Sequence, residues 1–118
     1  MTLSESIEHF LTYLRRERAA SPNTLLAYGR DLNKLVEYFN DTGKTDLPAE
    51  SLSRPSLQNF LIKTGKGLKP ASQARLVACL KSFGTFLTTN KLIEKNPARG
   101  LRFPKKEQHL FSVASEDM

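Results

Sequence analysis

The sequence predicts an all-α fold: a bundle of four helices followed by a basic C-terminal segment. Three observations carry this reading. Apolar residues recur at helical spacing in four separate stretches. Those stretches open on serine or proline, and the last three close on glycine or asparagine, the residues that start and stop helices. No stretch shows the alternation of a half-buried strand.

The first helix is expected from about Ser4 to Ala20, with Ser4 as cap and Ile7, Phe10, Leu11 and Leu14 on its inner face. Arg15, Arg16 and Arg18 fall in its last turn, where cations complement the helix dipole, so that structural role accounts for them. His9 stands beside the stripe with no second ligand at metal spacing and reads as a surface histidine.

The second helix has the clearest start. Ser21 suits the N-cap, and Pro22 costs nothing at the first helical position, where its missing N–H would have no partner. Leu25, Tyr28, Leu32, Leu35, Val36 and Phe39 form one stripe, and Gly43 suits a left-handed C-terminal cap. With that stripe inward, Asn23, Leu26, Ala27, Arg30 and Lys34 point outward, with Thr24 at the flank. Free N–H groups, a hydroxyl, an amide and two cations together suit an anion such as phosphate. An ordinary solvated helix face has the same composition.

After a polar connection tethered by Leu47 and Leu52, the third helix is expected from Ser53 to Lys66, with Ser53 as cap and Pro55 in its first turn. Leu57, Phe60, Leu61 and Thr64 face inward, and the two glycines of TGKGLK break the chain. The fourth helix is expected from Pro70 to Thr89, ended by Asn90, with Leu76, Leu80, Phe83 and Leu87 inside. Its opposite face holds Ala71, Ala74, Ala78 and Lys81, flanked by Arg75 and Ser82. Small residues bordered by cations let a helix approach a groove of DNA closely. They also let another helix pack closely.

Beyond Leu92 and Ile93, the prolines and glycine of NPARGLRFP forbid a regular helix. Lys95, Arg99, Arg102, Lys105 and Lys106 then make a basic extended arm. The expected division is a helical domain over 1–94 and a basic linker over 95–118. At 118 residues the chain fits one domain by length, burying roughly two-thirds of its unfolded surface.

The net charge of +6 is unevenly placed. Residues 1–50 hold six basic and eight acidic residues and sum to −2. Residues 51–106 hold twelve basic residues against one acid, Glu94, and sum to +11, while 107–118 sum to −3. Such asymmetry points to a polyanionic partner, nucleic acid first.

The chemistry of a catalyst is missing. KTGKGLKP lacks the ending of a phosphate-binding P-loop, no Cys/His cluster could hold zinc, and His9 and His109 are poorly placed for a triad. Neither a metal nor another cofactor is expected. The single Cys79 excludes an intramolecular disulfide and reads as a small buried residue. No apolar run approaches the roughly 20 residues of a membrane span, and the N-terminus lacks the layout of a signal peptide, so a cytoplasmic protein with no membrane partner is expected.

Three motifs carry a resemblance. Ser21, Asn23, Thr24, Tyr28, Asp31 and Leu32 stand as S-x-N-T-x-x-x-Y-x-x-D-L in the second helix. Ser72, Arg75, Leu76, Leu80, Lys81, Ser82, Phe83, Phe86 and Leu87 make a second pattern in the fourth. Asn96 to Lys106 reads N-P-A-R-G-L-R-F-P-K-K. In order and spacing these resemble the core-binding domain of tyrosine recombinases, Xer-type enzymes above all, over nearly all of residues 4–117. Leu26, an apolar residue at an outward position, departs from a purely polar contact face.

The resemblance implies a SAM-like orthogonal bundle of four helices forming half of a clamp on double-stranded DNA. It implies that catalysis, by a nucleophilic tyrosine without metal or nucleotide, belongs to a separate C-terminal domain. This segment would bind and position DNA beside that domain and other recombinase protomers, and would be monomeric alone. The roles implied include site-specific integration and chromosome dimer resolution. Carried over by motif, the DNA-binding candidates are Asn23, Thr24, Ala27 and Arg30 on the second helix. Around the fourth they are Lys69, Ser72, Gln73, Arg75 and Lys81, with Arg99, Arg102, Lys105 and Lys106 in the arm. The alternative is a helical protein-interaction module, since bundles of this kind also serve protein contacts. Such a patch would be more aromatic and less basic than residues 51–106.

Overall fold

Phe10 of the first helix meets Phe83 and Phe86 of the fourth, with ring centroids 5.3 and 5.4 Å apart, and the core is built outward from this cluster. The computed structural model describes residues 1–43 and 47–103. It holds four helices: α1 (Leu3–Arg16), α2 (Pro22–Asp41), α3 (Arg54–Gly65) and α4 (Pro70–Thr89). A single 3-10 turn, Ala49–Ser51, precedes α3. Among the described residues there is no β-strand, only one isolated bridge between Thr2 and Pro48. The chain is an all-α bundle.

The helix α1 starts and stops earlier than the sequence suggests. Its cap is Thr2, not Ser4: the Thr2 hydroxyl accepts from the Glu5 N–H at 3.1 Å, and the Glu5 carboxylate accepts from the Thr2 N–H at 2.9 Å. This reciprocal box satisfies two free donors at once, which Ser4 could not do. The helix ends at Arg16, and Ser21, before Pro22, is in extended backbone at φ −68° and ψ 156°. Between them the chain turns through Ala19 at φ 49°, with the Ala20 N–H bonded to the Leu14 carbonyl at 3.0 Å. Arg18 consequently lies outside the helix.

The expected stripes of α2, α3 and α4 turn inward. Leu32, Leu35 and Phe39, then Leu57, Phe60 and Leu61, then Leu76, Leu80, Phe83 and Leu87 are all buried. Leu52 is buried, Leu47 packs against the core, and Gly43 takes the left-handed conformation at φ 85°. The end of α4 is a Schellman motif: the Leu92 N–H reaches the Leu87 carbonyl at 2.8 Å and the Lys91 N–H that of Thr88 at 3.0 Å.

One expectation is corrected beyond α4. Residues 96–103 are not a free extended arm, because Ala98 and Leu101 are fully buried in the core and Phe103 packs against it. The segment is held by named contacts. Asn96 Oδ1 accepts from the Ala98 N–H at 2.9 Å, Arg54 donates to the Gly100 carbonyl at 3.3 Å, and the Gln58 amide donates to the Arg102 carbonyl at 2.9 Å. Gly84 permits this, since a Cβ there would overlap the Asn96 side chain.

Candidate nucleic-acid interface

The helices α2 and α4 lie side by side and antiparallel where they touch. Asp31 meets Arg75, and three residues earlier the Tyr28 carbonyl faces Cys79 Sγ at 3.9 Å. Falling numbers on α2 thus pair with rising numbers on α4, so the outer edges of both helices form one surface.

On α2, the first turn is fixed by its cap. Ser21 Oγ accepts from the Thr24 N–H at 3.2 Å and donates to Thr24 Oγ1 at 3.0 Å. Asn23, Leu26 and Arg30 are exposed, while Thr24, Ala27 and Lys34 are half-buried. On α4, Lys69 occupies the N-cap without a side-chain bond to the helix, leaving the first-turn N–H groups uncapped. Lys69, Ala71, Ala74, Ala78, Lys81 and Ser82 are exposed, and Ser72 is half-buried. Among the described residues no helix covers the alanines, so close packing by a neighbour within the domain does not account for them.

Two candidates are engaged inside the domain. Arg75 forms a two-point ion pair with Asp31, through Nε and Nη2, each at 2.9 Å. Asp31 is fully buried, and the Arg75 side chain is 38% exposed. The Asp31 carboxylate, by accepting from Arg75, raises the arginine's pKa above its ordinary value. Gln73 donates its amide to the Gly65 carbonyl at 2.8 Å, tying α4 to the end of α3. Arg99 and Arg102 are exposed on the packed segment, away from any extended arm. Lys105 and Lys106 lie outside the described residues.

Two titratable groups beside this surface are shifted by burial. Burial pushes the Cys79 thiol well above its usual range, so it stays protonated, as a small core residue does. Burial first, then the neighbouring Cys79 and Asp31, raises the Tyr28 phenol as well. Among the described residues no group of three acidic, histidine or cysteine side chains could hold a metal ion, and no helix is long and apolar enough to cross a membrane.

Sequence reasoning missed the role of Asp31, although a signal was present. It lies three residues after Tyr28 and four before Leu35, which places it on the buried stripe of α2. A carboxylate there needs a cation from the facing helix. Arg54 and Gln58, which hold the C-terminal segment, gave no comparable signal, because their partners are backbone carbonyls 46 and 44 residues away.

The family described as "Phage integrase, N-terminal SAM-like domain" matches residues 7–91. The chain is similar to tyrosine recombinase XerD of Oceanobacillus iheyensis, 33% identical over 116 residues, which cover 98% of this chain and 39% of that protein. It is 34% identical over 118 residues to tyrosine recombinase XerC of Lactobacillus delbrueckii subsp. bulgaricus, covering 99% of this chain and 38% of the relative. Against XerC of Serratia marcescens the identity is 34% over 109 residues, 92% of this chain and 36% of the relative. The chain therefore spans well under half the length of these relatives. With the match running from α1 to the Lys91 turn, the chain belongs to the phage integrase N-terminal SAM-like domain family.

Proposed function

We propose that this domain binds duplex DNA as the N-terminal clamp of a site-specific tyrosine recombinase, in the cytoplasm, alongside its own catalytic domain and other recombinase protomers. The observation that carries this reading is the shared outer surface of α2 and α4. Asn23 and Arg30 of α2 and Lys69, Ala71, Ala74, Ala78 and Lys81 of α4 are all exposed. Cations at the rim reach phosphates, while Ala74 and Ala78 leave room for a helix to sit close to base edges. Thr24, Ala27 and Ser72 lie beside that surface as shorter-range contacts.

Arg75 and Gln73 act here mainly by geometry. Arg75 spends two donors on Asp31 and so fixes α4 against α2, and Gln73 fixes the start of α4 against α3. Arg99 and Arg102 add charge from the packed segment, and Lys105 and Lys106 continue that basic run. This domain binds and positions; covalent chemistry belongs to the remainder of the recombinase, with no metal or other cofactor needed for binding. The role this reading gives the recombinase is DNA integration or chromosome dimer resolution.

Fluorescence anisotropy with a labelled duplex of mixed sequence tests the reading. Binding should be weak and fall steeply with salt, each neutralised phosphate contributing about 0.9 to the slope of log K against log salt. Absence of binding even at low salt removes it and favours a protein-interaction module.

A further inference from the structure

Where the turn after α1, the first turn of α2 and the second half of α4 meet, a groove of about 490 Å³ opens to solvent. Its walls carry two cations from different elements, Arg18 and Lys81, and the hydroxyls of Thr24, Ser82 and Thr85. None of the lining residues is acidic. Resting on the DNA-binding reading above, we propose that this groove seats a phosphate of the DNA backbone, and that Arg18 is a contact residue extending the footprint past α2 and α4.

Several independent features lead to this assignment. Arg18 is not a helix-dipole residue, since α1 ends at Arg16 and the chain turns through Ala19. Its guanidinium donates to the Tyr13 hydroxyl at 3.4 Å, which draws it toward the groove that both residues line. A guanidinium held by one bond keeps its other donors for a ligand, and its planar fork matches phosphate oxygens. The hydroxyls opposite can donate to the same oxygens. The groove is also continuous with the α2–α4 surface, because Thr24 and Lys81 belong to both. An open groove suits a strand that passes through it. A dry pocket enclosing a small metabolite would instead be walled on most sides and mostly apolar.

The test uses the 118-residue chain and a short fluorescein-labelled duplex of mixed sequence, titrated at several salt concentrations. Arg18→Gln should lower the slope of log K against log salt by about 0.9, one phosphate contact. Arg18→Lys should keep most of the slope while binding less tightly, because it retains charge without the fork. Arg15→Gln, an exposed cation of α1 outside the groove lining, should leave the slope unchanged. Circular dichroism confirms that each variant is folded. An unchanged slope for Arg18→Gln, or an equal loss for Arg15→Gln, overturns the groove assignment while DNA binding stands. If the parent chain fails to bind the duplex at all, the DNA-binding reading falls and the groove assignment falls with it.

Discussion

Asp31 and Arg75 join α2 to α4 through two parallel hydrogen bonds of 2.9 Å, with the carboxylate fully buried and the guanidinium reaching water on one side. The asymmetry in exposure sets which partner the fold can lose. Removing the arginine leaves a charge with no access to water, whereas removing the aspartate leaves an arginine that can turn outward.

Arg75→Ala should therefore destabilise more than Asp31→Asn. Breaking a buried pair by deleting one partner typically costs about 3–5 kcal/mol, and the water at Arg75 places this case at or below the lower figure. Urea denaturation of both variants measures the difference. The reverse order would mean that burial of Asp31 is not what makes the pair matter. Because the two charges cancel, the double variant Asp31→Leu with Arg75→Met should also leave the salt slope of DNA binding unchanged.

This pair shows what the sequence could and could not display. Helical periodicity places the centre of each core stripe, such as Phe10, Leu32, Leu35, Phe60, Leu76 and Leu80, because those residues share one helix face. Leu11, Leu25, Tyr28 and Val36 at the stripe edges are only half-buried, and buried Cys79 and Phe86 fall outside the expected stripe. Asp31 could be placed on the buried face by the same spacing, but its partner, 44 residues away, required the packing of two helices. The end of α1 differs from the expected Ala20 because the chain turns through Ala19 in the left-handed region, which an alanine gives no sequence signal for. The segment after α4 read as loose because prolines and glycine exclude a helix. They do not exclude packing, and Ala98 and Leu101 are small and apolar enough to fill the core. On the candidate surface, exposed positions were legible from periodicity, whereas the commitments of Arg75 and Gln73 were not.

Lys91→Gly should stabilise the domain. Lys91 sits at the left-handed position of the Schellman motif with φ 58°, where a residue with a Cβ costs roughly 1 kcal/mol or more relative to glycine. Its side chain is exposed, so little packing is lost. A rise of a few degrees in Tm is expected, and a fall would show that the lysine makes a contact outweighing the backbone term.

Gly84→Ala should do the opposite, although alanine favours helix by about 1 kcal/mol. A Cβ at position 84 would overlap Asn96 Oδ1, which is already bonded to the Ala98 N–H, and would also crowd the Ala98 Cβ at 3.1 Å. Overpacking of this kind typically costs about 1–3 kcal/mol, so a net loss is expected in chemical denaturation. Limited proteolysis should then cut nearer to residues 96–103 than in the parent chain, and protection equal to the parent would mean that the segment is held chiefly by Arg54 and Gln58.

The α4 face should govern DNA binding through shape as well as charge. Ala74 and Ala78 are exposed one turn apart, opposite the buried Leu76, Leu80, Phe83 and Leu87, with Lys81 at the border. Ala78→Leu adds bulk where the helix would approach base edges and touches no core contact. Binding should weaken while thermal stability barely moves, since exposed substitutions usually change stability by less than about 0.5 kcal/mol. Lys81→Ala should act differently, lowering the salt slope by about one and leaving sequence preference as it was. The two variants thus separate steric fit from counterion release on a single helix face. If Ala78→Leu leaves affinity intact in a folded domain, α4 does not enter the groove of DNA, and contact runs through the cations alone.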